Sequence, residues 1–434
     1  MNIAIVGMGT VGGAAIRILD ENTAELERKL GFKLHIRATA SLEVEKRKEV
    51  DTPTGRRLLT RDWREAVEHP EADIVVEVVG GTTIAYEVQT TALALGRPVV
   101  TANKELLGRR GAELAQLAHD NKTSLHLEAS AGGGIPILNA LREGIAADSI
   151  EAIYGILNGT CNFILTEIEK TGAPFADILS EAQRRGYAEA KPEADVEGYD
   201  AQSKLSIIAN FCFGARVATD AIFRQGITRI TPTDFAYAHR LGYTIRLLAA
   251  GVRHGDDLSL YVRPVLVPQT AMIAKVQGSY NAIWVKGRHG EDTLYCGRGA
   301  GTPTGVAVVS DIMSAARDLR HGSSLRAPAF GYWSPQEITN VGIDAGSSPY
   351  FVRFLVRDEV GIIARLADII ADEKIDIDAV FEEPNQDADN LAFVISVKPT
   401  TETAVSAALA RMEKLSFHRE PPLVLPMENI LAGS

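Results

Sequence analysis

Strand-like runs fall at residues 3–6, 34–40, 74–79, 98–101 and 124–127. Between most of them, apolar residues recur every three or four positions, through Ala14, Ala15, Ile18 and Leu19 and over 84–95 and 106–119. The first period is that of a strand and the second that of an amphipathic helix. Strands alternating with helices predict an α/β domain over residues 1–130, built on a doubly wound parallel sheet.

The texture then changes. Helical spacing covers 176–185 and 200–213, and strand patterns cover 259–267, 282–286 and 292–296. These predict an α+β substrate domain over 131–303. Helical periodicity over 304–318 predicts a return of the chain to the first domain, at about 304–320. Residues 321–348 are rich in Gly, Ser and Pro and read as a linker. Residues 349–434 follow a β-α-β-β-α-β order, a ferredoxin-like unit. No nucleophile or acid/base constellation is visible in it, so a regulatory or oligomeric role is expected.

With 434 residues, two or three domains are expected. The net charge of −11 leaves no basic surplus for non-specific nucleic-acid binding. No apolar run reaches the roughly 20 residues that span a bilayer. The opening Met1-Asn2-Ile3-Ala4-Ile5-Val6 reads as a strand and not as a signal peptide. Three well-separated cysteines, Cys161, Cys212 and Cys296, fit a reducing compartment without structural zinc. The expected location is the cytoplasm.

Chemistry enters with Gly7-Met8-Gly9-Thr10-Val11-Gly12, directly after the first strand. One glycine makes the tight turn, the next admits a pyrophosphate, and the third lets helix and strand pack closely. Thr10 and Val11 open the helix whose N-terminus faces the phosphates. A Rossmann-type dinucleotide site is therefore expected. The second strand ends Arg37-Ala38-Thr39-Ala40-Ser41, with Glu43 and the basic run Lys46-Arg47-Lys48 beyond it. Small polar and basic groups favour the 2′-phosphate of NADP. NAD remains the alternative if the basic run is only the solvated face of a helix.

Thr101-Ala102-Asn103-Lys104 follows the fourth strand, where ligands of open α/β sheets gather. Three further stretches stand out: Glu128-Ala129-Ser130-Ala131-Gly132-Gly133-Gly134-Ile135-Pro136-Ile137, Gly155-Ile156-Leu157-Asn158-Gly159-Thr160, and the acidic run from Gly186 to Lys204. Asp200 and Lys204 are four apart at a helix start and share a face.

These motifs, with Gly297-Arg298-Gly299-Ala300-Gly301-Thr302-Pro303-Thr304, resemble the homoserine dehydrogenase family over residues 1–320 or so. The tail resembles an ACT domain. The resemblance implies NAD(P)H-dependent interconversion of L-aspartate 4-semialdehyde and L-homoserine, in threonine, methionine and isoleucine biosynthesis. It implies Lys204 as proton donor, with Lys104 orienting substrate and cofactor. Glu189 and Asp200 would hold the substrate's ammonium group, and Gly301 would meet the cofactor. By position, Glu128, Ala131, Gly133 and Ile135 would carry a monovalent cation such as sodium. Threonine is the implied effector of the ACT-like tail, and a homo-oligomer, dimer or tetramer, is implied.

The chain departs from the family's pattern in three places. Lys191 stands where an aspartate is usual, the GAGTPT stretch is one residue short, and Val360 replaces a more usual proline. Two rival readings exist. Cys161, near a helix start, could serve an acylating aldehyde dehydrogenase as nucleophile, although no histidine base accompanies it. A non-catalytic amino-acid sensor would keep the fold without turnover, and the set Lys104, Glu189, Asp200 and Lys204 speaks against it.

Overall fold

A computed structural model describes residues 1–215, 217–323, 328–335, 338–343, 346–382 and 389–428. The chain forms two compact units. The first comprises Met1–Glu151, Ser203–Asp220 and Asn281–Ile338, and the second Ala152–Gln202, Ala221–Tyr280 and Thr339–Ser434. Among the described residues, no helix is long and apolar enough to cross a membrane.

The first unit is organised by a seven-stranded sheet. Its strands are β1 (Asn2–Val6), β2 (His35–Ala40), β3 (Lys48–Thr52), β4 (Gly55–Thr60), β5 (Ile74–Glu77), β6 (Val99–Thr101) and β7 (Leu125–His126). The order is β3-β4-β2-β1-β5-β6-β7, parallel except for β3. Without β3 this is the doubly wound order whose direction reverses between β1 and β5, and that reversal opens a crevice beyond the strands' carboxyl ends. Ile3, Ile5, Ile74 and Val76 are fully buried on the two central strands. The Thr302–His321 helix packs beside Thr10–Glu21.

The hairpin of β3 and β4 was not expected from the sequence. Its residues are mostly polar, because β3 is an exposed edge. Buried Arg57 on β4 is held by Asp20 at 2.8 Å.

The second unit contains the 12-residue strands Tyr243–His254 and Asp257–Pro268, paired antiparallel through a two-residue turn with Gly255 at positive φ. Tyr243–His254 is also missing from the sequence expectations, since Arg246 interrupts its apolar run. Arg246 is only 1% exposed, and its guanidinium donates to Glu169, Thr244 and the carbonyls of Ile245 and Ala274. A buried charge is tolerated when paired and hydrogen-bonded in this way.

The tail follows the predicted βαββαβ order. Ser347–Val356, Ile377–Glu382, Leu391–Thr401 and Leu423–Pro426 form its antiparallel sheet, with helices Ile362–Asp372 and Glu402–Met412. Its core is built on Phe354, Leu366, Phe393 and Phe417. Parts of the predicted linker, 324–327, 336–337 and 344–345, lie outside the described residues.

Candidate active site

In the first unit the chain turns as soon as β1 ends. Gly7 has φ of 110°. A Cβ on Gly7 would stand 2.5 Å from the Val78 carbonyl oxygen, and one on Gly12 would stand 2.1 Å from that of Gly7. Neither position admits a side chain. Gly9, by contrast, N-caps the Thr10–Glu21 helix with nothing within 4 Å of an added Cβ. The first N–H groups of that helix have no intrahelical partner, and the open space before them suits a pyrophosphate.

Across the sheet, β6 ends at Thr101. Asn103 caps the next helix by accepting the Leu106 N–H at 3.1 Å, and half-buried Lys104 is the first residue of that helix, Lys104–Asp120. At the end of β2 the basic run is not a helical face. Lys48 begins β3, and exposed Arg47 pairs with Glu65 at 3.0 Å.

The two glycine-rich turns of this unit meet backbone to backbone. The Gly134 N–H donates to the Arg298 carbonyl at 3.1 Å, and a Cβ on Gly133 would stand 2.3 Å from the Gly299 carbonyl oxygen. Gly301, with φ of 80°, caps the Thr302–His321 helix, and Gly305 of that helix lies against Ala14. The short GAGTPT stretch thus still delivers Gly301 to the unit that holds Gly7–Gly12.

Glu128, Ala131, Gly133 and Ile135 are all buried in one turn. The Glu128 carboxylate accepts the N–H groups of Leu138 (3.0 Å) and Asn139 (2.6 Å), and its own N–H donates to Asp311 Oδ2 at 2.8 Å. Burial pushes the Glu128 acid up to about 7. Burial, and then the charge of Glu128, push Asp311 up to about 7 as well. Among the described residues, no group of three or more His, Cys, Asp or Glu side chains could hold a metal. A cation here would therefore rest on backbone oxygens, beside two acids whose buried charge it would offset. An all-oxygen donor set of this kind suits a hard cation.

In the second unit, Asn158 lies just beyond the strand Ile150–Ile156 and caps the Gly159–Thr171 helix, its Oδ1 accepting the Cys161 N–H at 2.8 Å. Its Nδ2 donates to both Asp195 Oδ1 (2.7 Å) and Asp200 Oδ2 (3.0 Å). One amide thus fixes two carboxylates. The Thr160 hydroxyl donates to the Tyr187 carbonyl at 2.6 Å, tying the acidic segment to the same helix start. In the sequence Asn158 stands inside a motif with no role of its own, and Asp195 is one carboxylate of the acidic run. An Asn before a helical run is an N-cap signature, which could have drawn attention to it.

Glu189 and Lys191 are both exposed. Cys161 is fully buried, and its thiol donates to the Asp195 carbonyl at 3.1 Å. It is a packing residue, inaccessible as a nucleophile. Asp200 and Lys204 lie on one face of the Tyr199–Phe213 helix, which passes from the second unit into the first after Gln202. Lys104, Lys204 and the glycine turns therefore belong to the first unit, and Glu189 and Asp200 to the second.

Comparison with known proteins gives a consistent result. Residues 136–313 match the family model described as homoserine dehydrogenase, and residues 7–128 the one described as homoserine dehydrogenase, NAD binding domain. The chain is 38% identical over 433 residues to a homoserine dehydrogenase of Neisseria gonorrhoeae, covering 99% of each. It is similar to the crystal structure of a homoserine dehydrogenase from Thiobacillus denitrificans, with a TM-score of 0.89 and 36% identity over 99% of this chain and 98% of that one. A hyperthermophilic archaeal homoserine dehydrogenase mutant in complex with NADPH aligns with a TM-score of 0.60 and 26% identity, over 73% of this chain and 97% of that one.

Proposed function

The chain belongs to the homoserine dehydrogenase family, and from that membership we propose how its own residues carry the reaction. The protein is an NAD(P)-dependent oxidoreductase that interconverts L-aspartate 4-semialdehyde and L-homoserine. The observation that supports our reading best is the glycine turn at the sheet's reversal point in the same compact unit as Lys104 and Lys204.

A bound nicotinamide supplies the hydride for the C4 carbonyl. Lys204 donates the proton that the carbonyl oxygen takes up as it becomes an alcohol, and its cationic head stabilises the charge developing there. Lys104 orients substrate and cofactor. Glu189 and Asp200 hold the substrate's ammonium group, and Asn158 keeps Asp200 directed by its hydrogen bond. Gly7, Gly9, Thr10, Val11, Gly12 and Gly301 bind the dinucleotide. We favour NADP over NAD, because β2 ends in Ala40, followed by Ser41, with the basic Lys46 and Lys48 exposed nearby. The NADPH complex of the archaeal relative is in keeping with this. Sodium on the turn of Glu128, Ala131, Gly133 and Ile135 would stiffen the site without entering the chemistry.

Residues 349–434 are proposed as an ACT regulatory domain that binds threonine and couples that binding to turnover. The assembly is proposed to be a homodimer or homotetramer. One steady-state assay tests these readings together: homoserine oxidation with NAD and with NADP, in sodium or choline salts, with and without threonine. We expect a lower KM for NADP, faster turnover in sodium and inhibition by threonine. Equal kcat/KM for both cofactors would refute the NADP preference, and turnover indifferent to threonine would refute the effector assignment.

A further inference from the structure

Glu77 ends β5 with its side chain wholly buried, and four donors converge on its carboxylate. Oε1 accepts the backbone N–H groups of Val79 (2.9 Å) and Gly80 (3.4 Å). Oε2 accepts Gln89 Nε2 (2.7 Å) and Thr101 Oγ1 (2.9 Å). All four donors are neutral. A buried charge survives only where hydrogen bonds replace its water, and here they reach out along two arms.

The first arm is the turn after β5. Val78 and Val79 lie so close to Gly7 that a Cβ there would meet both backbones, at 2.5 and 2.9 Å. Gly80 and Gly81 both take positive φ, at 78° and 69°. By holding Val79 and Gly80, the carboxylate fixes a wall beside the dinucleotide turn. The second arm runs through Thr101, which pairs with Glu77 in register across β5 and β6. Thr101 Oγ1 also accepts the Asn103 N–H at 3.0 Å, and Asn103 in turn caps the helix that begins with Lys104. Asn103 Nδ2 then donates to the Gly81 carbonyl at 2.7 Å, joining the two arms into a ring.

We propose that Glu77 is a positioning residue of the hydride-transfer site: one buried carboxylate sets both the cofactor-facing turn at 78–81 and, through Thr101 and Asn103, the helix start that carries Lys104. The lysine arm rests on the role given above to Lys104, whereas the cofactor arm does not. A carboxylate suits the place because each of its oxygens is acceptor-only and can take two donors.

The test uses the full chain and three variants, reading NADPH affinity by fluorescence, kcat and KM for homoserine, and the thermal midpoint. E77A removes both arms and is expected to weaken NADPH binding and lower kcat by about a hundredfold, the scale of a misplaced site. T101V cuts the lysine arm and one contact of Gln89 but leaves the Val79 and Gly80 bonds to Oε1, lowering kcat about tenfold with NADPH affinity within about twofold of the parent. E77Q keeps an oxygen for Val79 and Gly80, and Gln89 Oε1, which has no hydrogen-bond partner among the described residues, can turn to receive the new amide. It should therefore stay within about threefold of the parent on both readouts.

A lower thermal midpoint with unchanged kcat and affinity in E77A and T101V would mean a structural role only and would overturn the proposal. So would E77Q as impaired as E77A, because charge and not placement would then matter. If E77A does not fold, T101V decides: parental kcat refutes the lysine arm. K104M separates the two readings. Parental turnover in K104M would remove the role of Lys104 while E77A still tests the cofactor arm by affinity.

Discussion

Replacing Arg353 with methionine tests how the tail is held within the second unit. Arg353 lies on the Ser347–Val356 strand, and Asp234 lies on the Pro232–Arg240 helix. Their side chains are 4% and 0% exposed, with Nε and Oδ1 2.7 Å apart. Asp234 Oδ2 also accepts the N–H and hydroxyl of Thr231, both at 2.8 Å, closing a capping box. At that separation, and an effective dielectric of about 20, the lost attraction is about 6 kcal/mol. The substitution also releases the cost of burying the guanidinium. Removing one partner of such a buried pair therefore costs about 3–5 kcal/mol. Glu420, the other carboxylate paired with Arg353, is 38% exposed and simply hydrates, and the Arg229 carbonyl loses one donor.

The pH dependence has a definite sign. Burial pushes the Asp234 carboxyl above the usual carboxylate range, while Arg353 pulls it down. Without Arg353 the folded value rises further above the unfolded one. A raised value contributes stability below the unfolded pKa and loses it as pH rises through the folded one. The R353M penalty should thus be largest at neutral and alkaline pH and shrink on acidification, as Asp234 takes up a proton. Hydrogen exchange of the Ser347–Val356 and Leu391–Thr401 strands, corrected for intrinsic rates, reads the change locally. About 3 kcal/mol corresponds to about a hundredfold faster exchange. The double variant R353M/D234N should recover most of the protection, since neither charge is left alone. Exchange within threefold of the parent at pH 8, or a penalty that grows on acidification, would refute the reasoning.

Other outcomes follow from the site. Lys204→Met should lower kcat by about 10²–10⁴-fold with NADPH affinity nearly unchanged, checked by steady-state kinetics and fluorescence titration. Asn158→Ala removes a helix cap, at a cost of about 1 kcal/mol. It also takes one hydrogen bond from each of Asp195 and Asp200, so KM for homoserine should rise while KM for NADP does not. Gly12→Ala would place a Cβ 2.1 Å from the Gly7 carbonyl oxygen, so calorimetry should find dinucleotide binding abolished. Turnover should survive iodoacetamide, because Cys161 and Cys212 are buried and only Cys296 is exposed.

By itself the sequence determined what depends on short stretches of chain. The glycine turn was legible because its spacing states a backbone requirement, and Gly7 and Gly12 indeed leave no room for a Cβ. Alternating strand and helix periods were enough for the doubly wound sheet, and the tail's βαββαβ order was legible for the same reason. Signals failed where burial and local polarity disagree. Arg246 hid a 12-residue strand, and the polar edge of β3 hid a hairpin. Only the tertiary structure decided which distant polar groups meet. Glu77 finds Thr101 through the register of β5 on β6, Asn158 joins Asp195 and Asp200 from about 40 positions away, and Arg353 finds Asp234. A buried polar group must find a partner, but its own neighbours in sequence do not say which one. Strand pairing and helix packing make that choice, because they determine which donors and acceptors are shut away from water together.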